Sequence, residues 1–295
     1  MKHLYLINIF IIYLYSSSIS QDIDLRQFDY TYADSIALNL NKDSYSTIPD
    51  LATLLTRNLT SDHEKFRVLF RWITDNIEYS YSNSTGDADK VFKKKKAVCE
   101  GYASLLKVLC DNVGIECEII HGYTKNKAKD IGVKMKETNH AWNIIRLYDK
   151  WYLVDATWAS GHYKKKFTKE FNESYFLANP KFIILTHFPE DSKYQLLDTL
   201  CKMKEFIKFP IVHTSDIMPI EKISGIIKKD LSIRFTSKKT INSVSLSFTT
   251  DKYSRPVEFE YKDGFYEINY IFKSTDKGEF TLFIDHKAVF SLIKK

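Results

Sequence analysis

The feature that most constrains this chain is a change of hydrophobic period near Ser215. Upstream, apolar residues recur at helical spacing: Leu51, Leu54 and Leu55, then Phe66, Leu69, Phe70, Ile73 and Ile77. Downstream, Leu231 to Thr236, Ile241 to Phe248, Val257 to Tyr261, Phe265 to Phe272, Phe280 to Asp285 and Ala288 to Ile293 alternate apolar and polar residues. A period of two puts one face of a strand in a core, whereas helical spacing does so for a helix. The chain therefore has to divide. Asp263-Gly264 falls between two alternating segments and is a strong hairpin turn. Short strands separated by frequent turn signals predict a β-sandwich of immunoglobulin-like type. Pro210 and Pro219 bracket the linker, and 295 residues with 44% hydrophobic content suffice for two cores. The expected organisation is a leader at 1–20, an α+β domain at 21–212 and an all-β domain at 213–295.

The leader is read from residue types. Lys2 and His3 give a positive start, Leu4 to Tyr15 an apolar run, and Ser16 to Ser20 a run of mostly small residues. Ser18-Ile19-Ser20 fits a cut after Ser20. The apolar run is short for a bilayer span, and no later stretch reads as transmembrane. The mature protein is expected to be secreted or to lie in the periplasm or cell envelope. The net charge of +6 is spread among Lys-rich loops. No aromatic-plus-Arg groove pattern accompanies it, so no nucleic-acid partner is expected.

In the α+β part, helices are predicted over Tyr32 to Leu40, from Thr47 or Pro49 to Leu59, and after Ser61. Ser61 and Glu64 form a capping-box pattern there. Ser80 to Asp89 reads as a polar loop, and Val91 to Lys96 as the lead into a helix starting at Cys99. On that helix Ala103, Leu106, Leu109 and Cys110 share a face, and Asn112 and Gly114 end it. A strand follows over Ile115 to Tyr123, then a long Lys-rich loop from Thr124 to Asn139. His140 to Tyr148 and Trp151 to Thr157 form a hairpin with Asp149-Lys150 at its turn.

Cys99 at a helix start is a candidate nucleophile. Unpaired N–H groups at a helix N-terminus favour the thiolate, and Lys93 to Lys96 just before it push the same way. A cysteine nucleophile needs a base and a group to orient that base. His140 opens one strand of the hairpin and Asp155 lies near the end of the other. A two-residue turn at Asp149-Lys150 sets Ile144 opposite Asp155 and leaves His140 out of reach. A connection from Leu147 to Lys150 sets Trp142 opposite Asp155 and puts His140 on a diagonal within reach. The longer turn, or a bulge, is therefore expected. Gly101, Trp142 and Trp158 are candidates to line a substrate cleft.

Zinc fails on spacing, since no CxxC or HxxxH pair is present. No Gly-rich phosphate loop and no acidic calcium pattern occurs either, so no metal or cofactor is expected. Cys99 and Cys110 are separated by about 16 Å along one helix and cannot bridge. Cys110 and Cys117 are close enough in sequence to pair, or are two small buried residues.

Val98 to Ala103, Gly114-Ile115, Gly122-Tyr123, Asn139 to Asn143 and Trp151 to Trp158 resemble the transglutaminase-like (papain-like) core. They are most similar to its kyphoscoliosis-peptidase-like branch. Arg71 to Tyr79 upstream, with Tyr175 to Pro180 and Gln195 to Leu197 downstream, fit that branch too. The resemblance implies an antiparallel sheet packed on a Cys-bearing helix, with Cys99 as nucleophile, His140 as base and acid, and Asp155 as the orienting carboxylate. It implies acyl transfer on protein or peptide amides, by hydrolysis, deamidation or transamidation. A non-catalytic binding module, with the β domain holding a cell-surface or protein partner, is the reading from another class.

Overall fold

The computed structural model describes residues 24–82, 85–163, 165–219 and 223–295. The expected leader at 1–20 lies outside the described residues. Three helices come first: α1 (Thr31–Asn39), α2 (Ile48–Thr56) and α3 (Asp62–Asn76). Thr47 and Asp50 close a capping box on α2, with Pro49 in the first turn. Ser61 precedes α3, but its hydroxyl donates to the Glu64 carboxylate instead of accepting a backbone N–H. The expected capping box is not made: the two side chains bond each other instead of the backbone. The α3 stripe of Phe66, Leu69, Phe70 and Ile73 is fully buried, and Trp72 with it.

The chain then runs through β1 (Glu78–Tyr79), α4 (Ala88–Lys94), β2 (Lys96–Ala97) and α5 (Cys99–Asn112). Helix α4 stands where loop and lead-in were expected. Asp87 caps it by accepting the Lys90 N–H at 3.0 Å, and Lys95 ends it in the left-handed region at φ 54°. β1 and β2 pair in parallel and deliver the chain to Cys99. The predicted inner face of α5 is buried, and Gly114 ends the turn at φ 75°.

The site sheet has the order β5-β4-β3-β8, antiparallel throughout, from β3 (Cys117–Thr124), β4 (His140–Leu147), β5 (Lys150–Val154) and β8 (His187–Pro189). Between β5 and β8 lie α6 (Ala156–Ser160), β6 (Gly161–Tyr163), β7 (Phe167–Lys169) and α7 (Pro180–Ile183). Ala156 and Thr157, expected in the strand, are helical, because Asp155 leaves the sheet and caps α6. Helix α5 packs on β3 and β4, and Asn143 Nδ2 donates to Ala103 O at 3.1 Å across that interface. The four cysteines are free thiols.

Gly122 sits opposite His140 in the register and opposite Pro189 on its other side. A Cβ there would lie 2.4 Å from Phe188 O and 2.5 Å from the Trp142 ring. Gly122→Ala is therefore expected to destabilise the fold by about 3 kcal/mol through overpacking. Urea unfolding measures it, and an unchanged midpoint would show that β8 has room to move.

After α8 (Met203–Phe206), strands β9 (Ile211–Val212), β10 (Ile217–Pro219), β11 (Ile226–Ile227), β12 (Leu231–Ser237), β13 (Val244–Phe248), β14 (Arg255–Pro256), β15 (Phe259–Lys262), β16 (Phe265–Tyr270), β17 (Gly278–Ile284) and β18 (Lys287–Lys294) follow. One sheet has the order β10-β12-β16-β15. The other runs β11-β18-β17-β13-β14, with β9 also on β18. Asp263 and Gly264 make the expected turn between β15 and β16, at φ 52° and 85°. The molecule is thus a mixed α/β chain with a large β-sheet C-terminal region. Among the described residues, no helix is long and apolar enough to cross a membrane.

Candidate active site

Cys99 is the first residue of α5, half-buried, with Val98 extended before it. Its N–H belongs to the unpaired first turn, where partial positive charge collects. His140 is the first residue of β4 and is buried. Asp155 is fully buried just past β5, where its Oδ1 accepts the Trp158 N–H at 2.9 Å. The other carboxylate oxygen, Oδ2, lies 2.7 Å from His140 Nε2. The Cys99 thiol in turn makes a hydrogen bond with the His140 side chain. The three side chains form a continuous chain from sulfur to carboxylate.

The hairpin turn corrects the expected route to this geometry. It is tight, with Leu147 paired to Lys150 and with Tyr148 and Asp149 at φ 49° and 63°. No longer connection or bulge is needed. The turn lies one residue earlier than Asp149-Lys150, and that shift alone supplies the required register. Asn143 pairs with Val154, so the next step along both strands sets Trp142 beside Asp155. His140 then reaches the carboxylate on the diagonal.

The electrostatics follow from burial and contact. Burial pushes the Cys99 thiol up, but the hydrogen bond and charge of His140, aided by the Ala141 amide, hold it below its ordinary value. Burial pushes His140 down, yet the Asp155 charge and hydrogen bond, with a smaller share from Cys99, raise it to about 9. Burial opposes ionisation of Asp155, and His140 and then His187 overcome it, so its carboxyl stays well below the usual range. The arrangement favours a thiolate facing an imidazolium.

Two lysines of the run before Cys99, Lys95 and Lys96, face other partners. Lys95 places its Nζ over the rings of Phe92, Trp72 and Tyr45 at 3.9, 4.6 and 5.4 Å. Burial there lowers its pKa to about 8. Lys96 faces Glu78 at 3.8 Å. Adjacency in sequence is not proximity, because the left-handed Lys95 turns the ammonium away.

Two of the three cleft candidates are packing positions. A Cβ on Gly101 would lie 2.7 Å from both Ala97 and Val91, and Gly101 is buried. Trp142 is 2% exposed and stacks beside the His140 ring at 5.9 Å between centroids. Trp158 is half-buried, 5.9 Å from the His140 ring. Glu100 follows the nucleophile in the first helical turn and meets the exposed His121 at 3.0 Å.

His187 has no counterpart in the sequence reading. It opens β8, is 1% exposed, and places Nε2 3.0 Å from the same Asp155 oxygen that His140 uses. Its Nδ1 lies 2.9 Å from the Thr186 hydroxyl. The one available signal was a histidine opening a short extended piece that ends in Pro189. Donor atoms of His140, Asp155 and His187 lie within 4.8 Å of one another, close enough for a metal ion. At 2.7 and 3.0 Å, however, the contacts are hydrogen bonds, and an ion would have to displace the proton on which a His140 base depends.

A helix-borne cysteine facing a His–Asp pair on an antiparallel sheet belongs to a known class. The model of the transglutaminase-like superfamily matches residues 49–156, a span that includes Cys99, His140 and Asp155. Its similarity is to kyphoscoliosis peptidase: 32% identity to the human protein over 203 residues, covering 65% of this chain and 30% of that one. Hillarin of Drosophila melanogaster is 28% identical over 205 residues, covering 63% of this chain and 25% of its own. The chain thus spans less than a third of these relatives' length. A solved structure described as a TGase matches at 14% identity and a TM-score of 0.30, covering 53% of this chain and 40% of that one. A likeness that low carries no weight.

Proposed function

We propose that this protein is an exported cysteine-dependent acyl-transfer enzyme acting on protein or peptide amides, most simply as an amide hydrolase. The observation that supports it best is the His140 ring held between the Cys99 thiol and the Asp155 carboxylate. The thiolate attacks the carbonyl carbon and the N–H of Cys99 is the first oxyanion donor. His140 gives its proton to the departing nitrogen, leaving an acyl-thioester. Water, deprotonated by His140, then releases the acid; an amine at the same step gives transamidation. The name of the human relative favours the peptidase branch. The C-terminal β region of this chain forms an immunoglobulin-like sandwich that holds a partner.

The test is the rate of iodoacetamide alkylation of Cys99 across pH, with Cys99→Ala correcting for other thiols. An activated thiolate labels rapidly at about pH 6, well below the free-thiol pKa of about 8.5. Labelling that follows an ordinary thiol titration would favour a non-catalytic binding module.

A further inference from the structure

We infer that His187 is a positioning residue for this site: it pins the Asp155 carboxylate so that His140 is held in line with Cys99. The inference rests on the acyl-transfer reading of Cys99. It starts from a count of donors on one buried carboxylate. Oδ1 accepts the Trp158 N–H at 2.9 Å, while Oδ2 accepts from both His140 and His187, at 2.7 and 3.0 Å. Without His187, Oδ2 keeps only the contact to His140, the ring that must remain oriented while its proton comes and goes. A carboxylate fixed at one oxygen by a backbone amide can still turn about its own axis. The second imidazole removes that freedom.

His187 is itself held on every side. The Thr186 hydroxyl lies 2.9 Å from Nδ1, and because the ionised Asp155 carboxylate can only accept, the hydrogen at that contact sits on Nε2. Its ring stands edge-on to Trp158 at 4.5 Å and Trp142 at 5.3 Å between centroids. β8 is tied to β3 at Gly122, Tyr123 and Thr124. The titratable groups facing the ring are Asp155, His140 and Tyr175, the last pushed well above its ordinary value by burial and so neutral. Burial also holds His187 below the ordinary histidine value, against the opposing pull of Asp155. The two histidines on one carboxylate thus divide the work. His140 is the one that takes the proton, and His187 donates a second hydrogen bond to the same oxygen.

The experiment measures iodoacetamide alkylation of Cys99 in the full chain across pH, in wild type, His187→Phe, His187→Gln and Thr186→Val. His187→Phe keeps the ring volume but offers no donor, and the rate at about pH 6 should fall about tenfold, with the profile moving towards an ordinary thiol. His187→Gln keeps an N–H donor near the Nε2 position and should stay within about threefold of wild type. A folded His187→Phe protein with the wild-type profile overturns the inference, as does equal impairment in both His187 variants. If His187→Phe does not fold, Thr186→Val decides. It should lose about threefold at that pH, and an unchanged profile overturns the proposal. An ordinary thiol profile in wild type itself would instead overturn the reading of Cys99, and the inference with it.

Discussion

Asp155→Asn should lower the rate of acyl transfer by about four orders of magnitude. The carboxylate accepts three N–H groups, at 2.7, 2.9 and 3.0 Å, and is fully buried. An amide offers one acceptor oxygen and one NH2. If the NH2 faces the histidines, His140 must accept at Nε2 and carry its hydrogen on Nδ1. Nδ1 is the nitrogen left to receive the Cys99 proton, so that tautomer cannot act as the base. If the oxygen faces the histidines instead, the NH2 meets the Trp158 N–H and α6 loses its cap. Either way the negative charge that stabilises the imidazolium is gone. Buried groups left unpaired should also cost about 2 kcal/mol of stability. Single-turnover kinetics on any peptide the wild type consumes, with urea unfolding beside them, would separate the two losses. There is a pH signature as well. The folded pKa of Asp155 lies below its unfolded value, so its contribution is present above about pH 4 and is lost as pH falls further. Asp155→Asn should flatten that acid limb of the stability curve.

Cys99→Ala should abolish turnover, a loss of about six orders of magnitude when the nucleophile goes. Because Cys99 is only half-buried at the start of α5, the variant should keep its fold to within about 1 kcal/mol. A peptide library incubated with and without a primary amine, read by mass, reports both loss and branch. Hydrolysis gives the free acid in both conditions, whereas transamidation gives amine adducts when amine is added. Turnover in Cys99→Ala equal to wild type would remove the thioester from the mechanism.

Much of this architecture was legible because it depends on local period. The alternation after Ser215 located β12, β13 and β15 to β18, and Asp263-Gly264 the turn between β15 and β16, whereas β9, β10, β11 and β14, of two or three residues each, are too short to show a period. The buried face of α5 followed from Ala103, Leu106, Leu109 and Cys110 at helical spacing. What escaped depends on positions the chain reaches only in three dimensions. α4 has seven residues, with Val91 and Phe92 as its buried apolar pair, too few to show a helical period. Tyr148 is no turn former by type, so its positive φ, and with it the one-residue shift in the hairpin, had no local sign. Asp155 lies in Trp151 to Thr157, which reads as strand, although its carboxylate caps a helix. Gly101 and Trp142 lie where a cleft was expected, but Ala97, Val91 and the His140 ring pack against them. His187 enters the site through the pairing of β8 with β3, some 32 residues beyond Asp155, a contact no local spacing announces.

The most direct measurement is the ultraviolet absorbance of the Cys99 thiolate, taken as wild type minus Cys99→Ala from about pH 4 to about pH 10. The geometry predicts thiolate already present well below the ordinary thiol pKa of about 8.5, and its loss at that low pH in His140→Ala. A single titration near about 8.5, identical in wild type and His140→Ala, would contradict it.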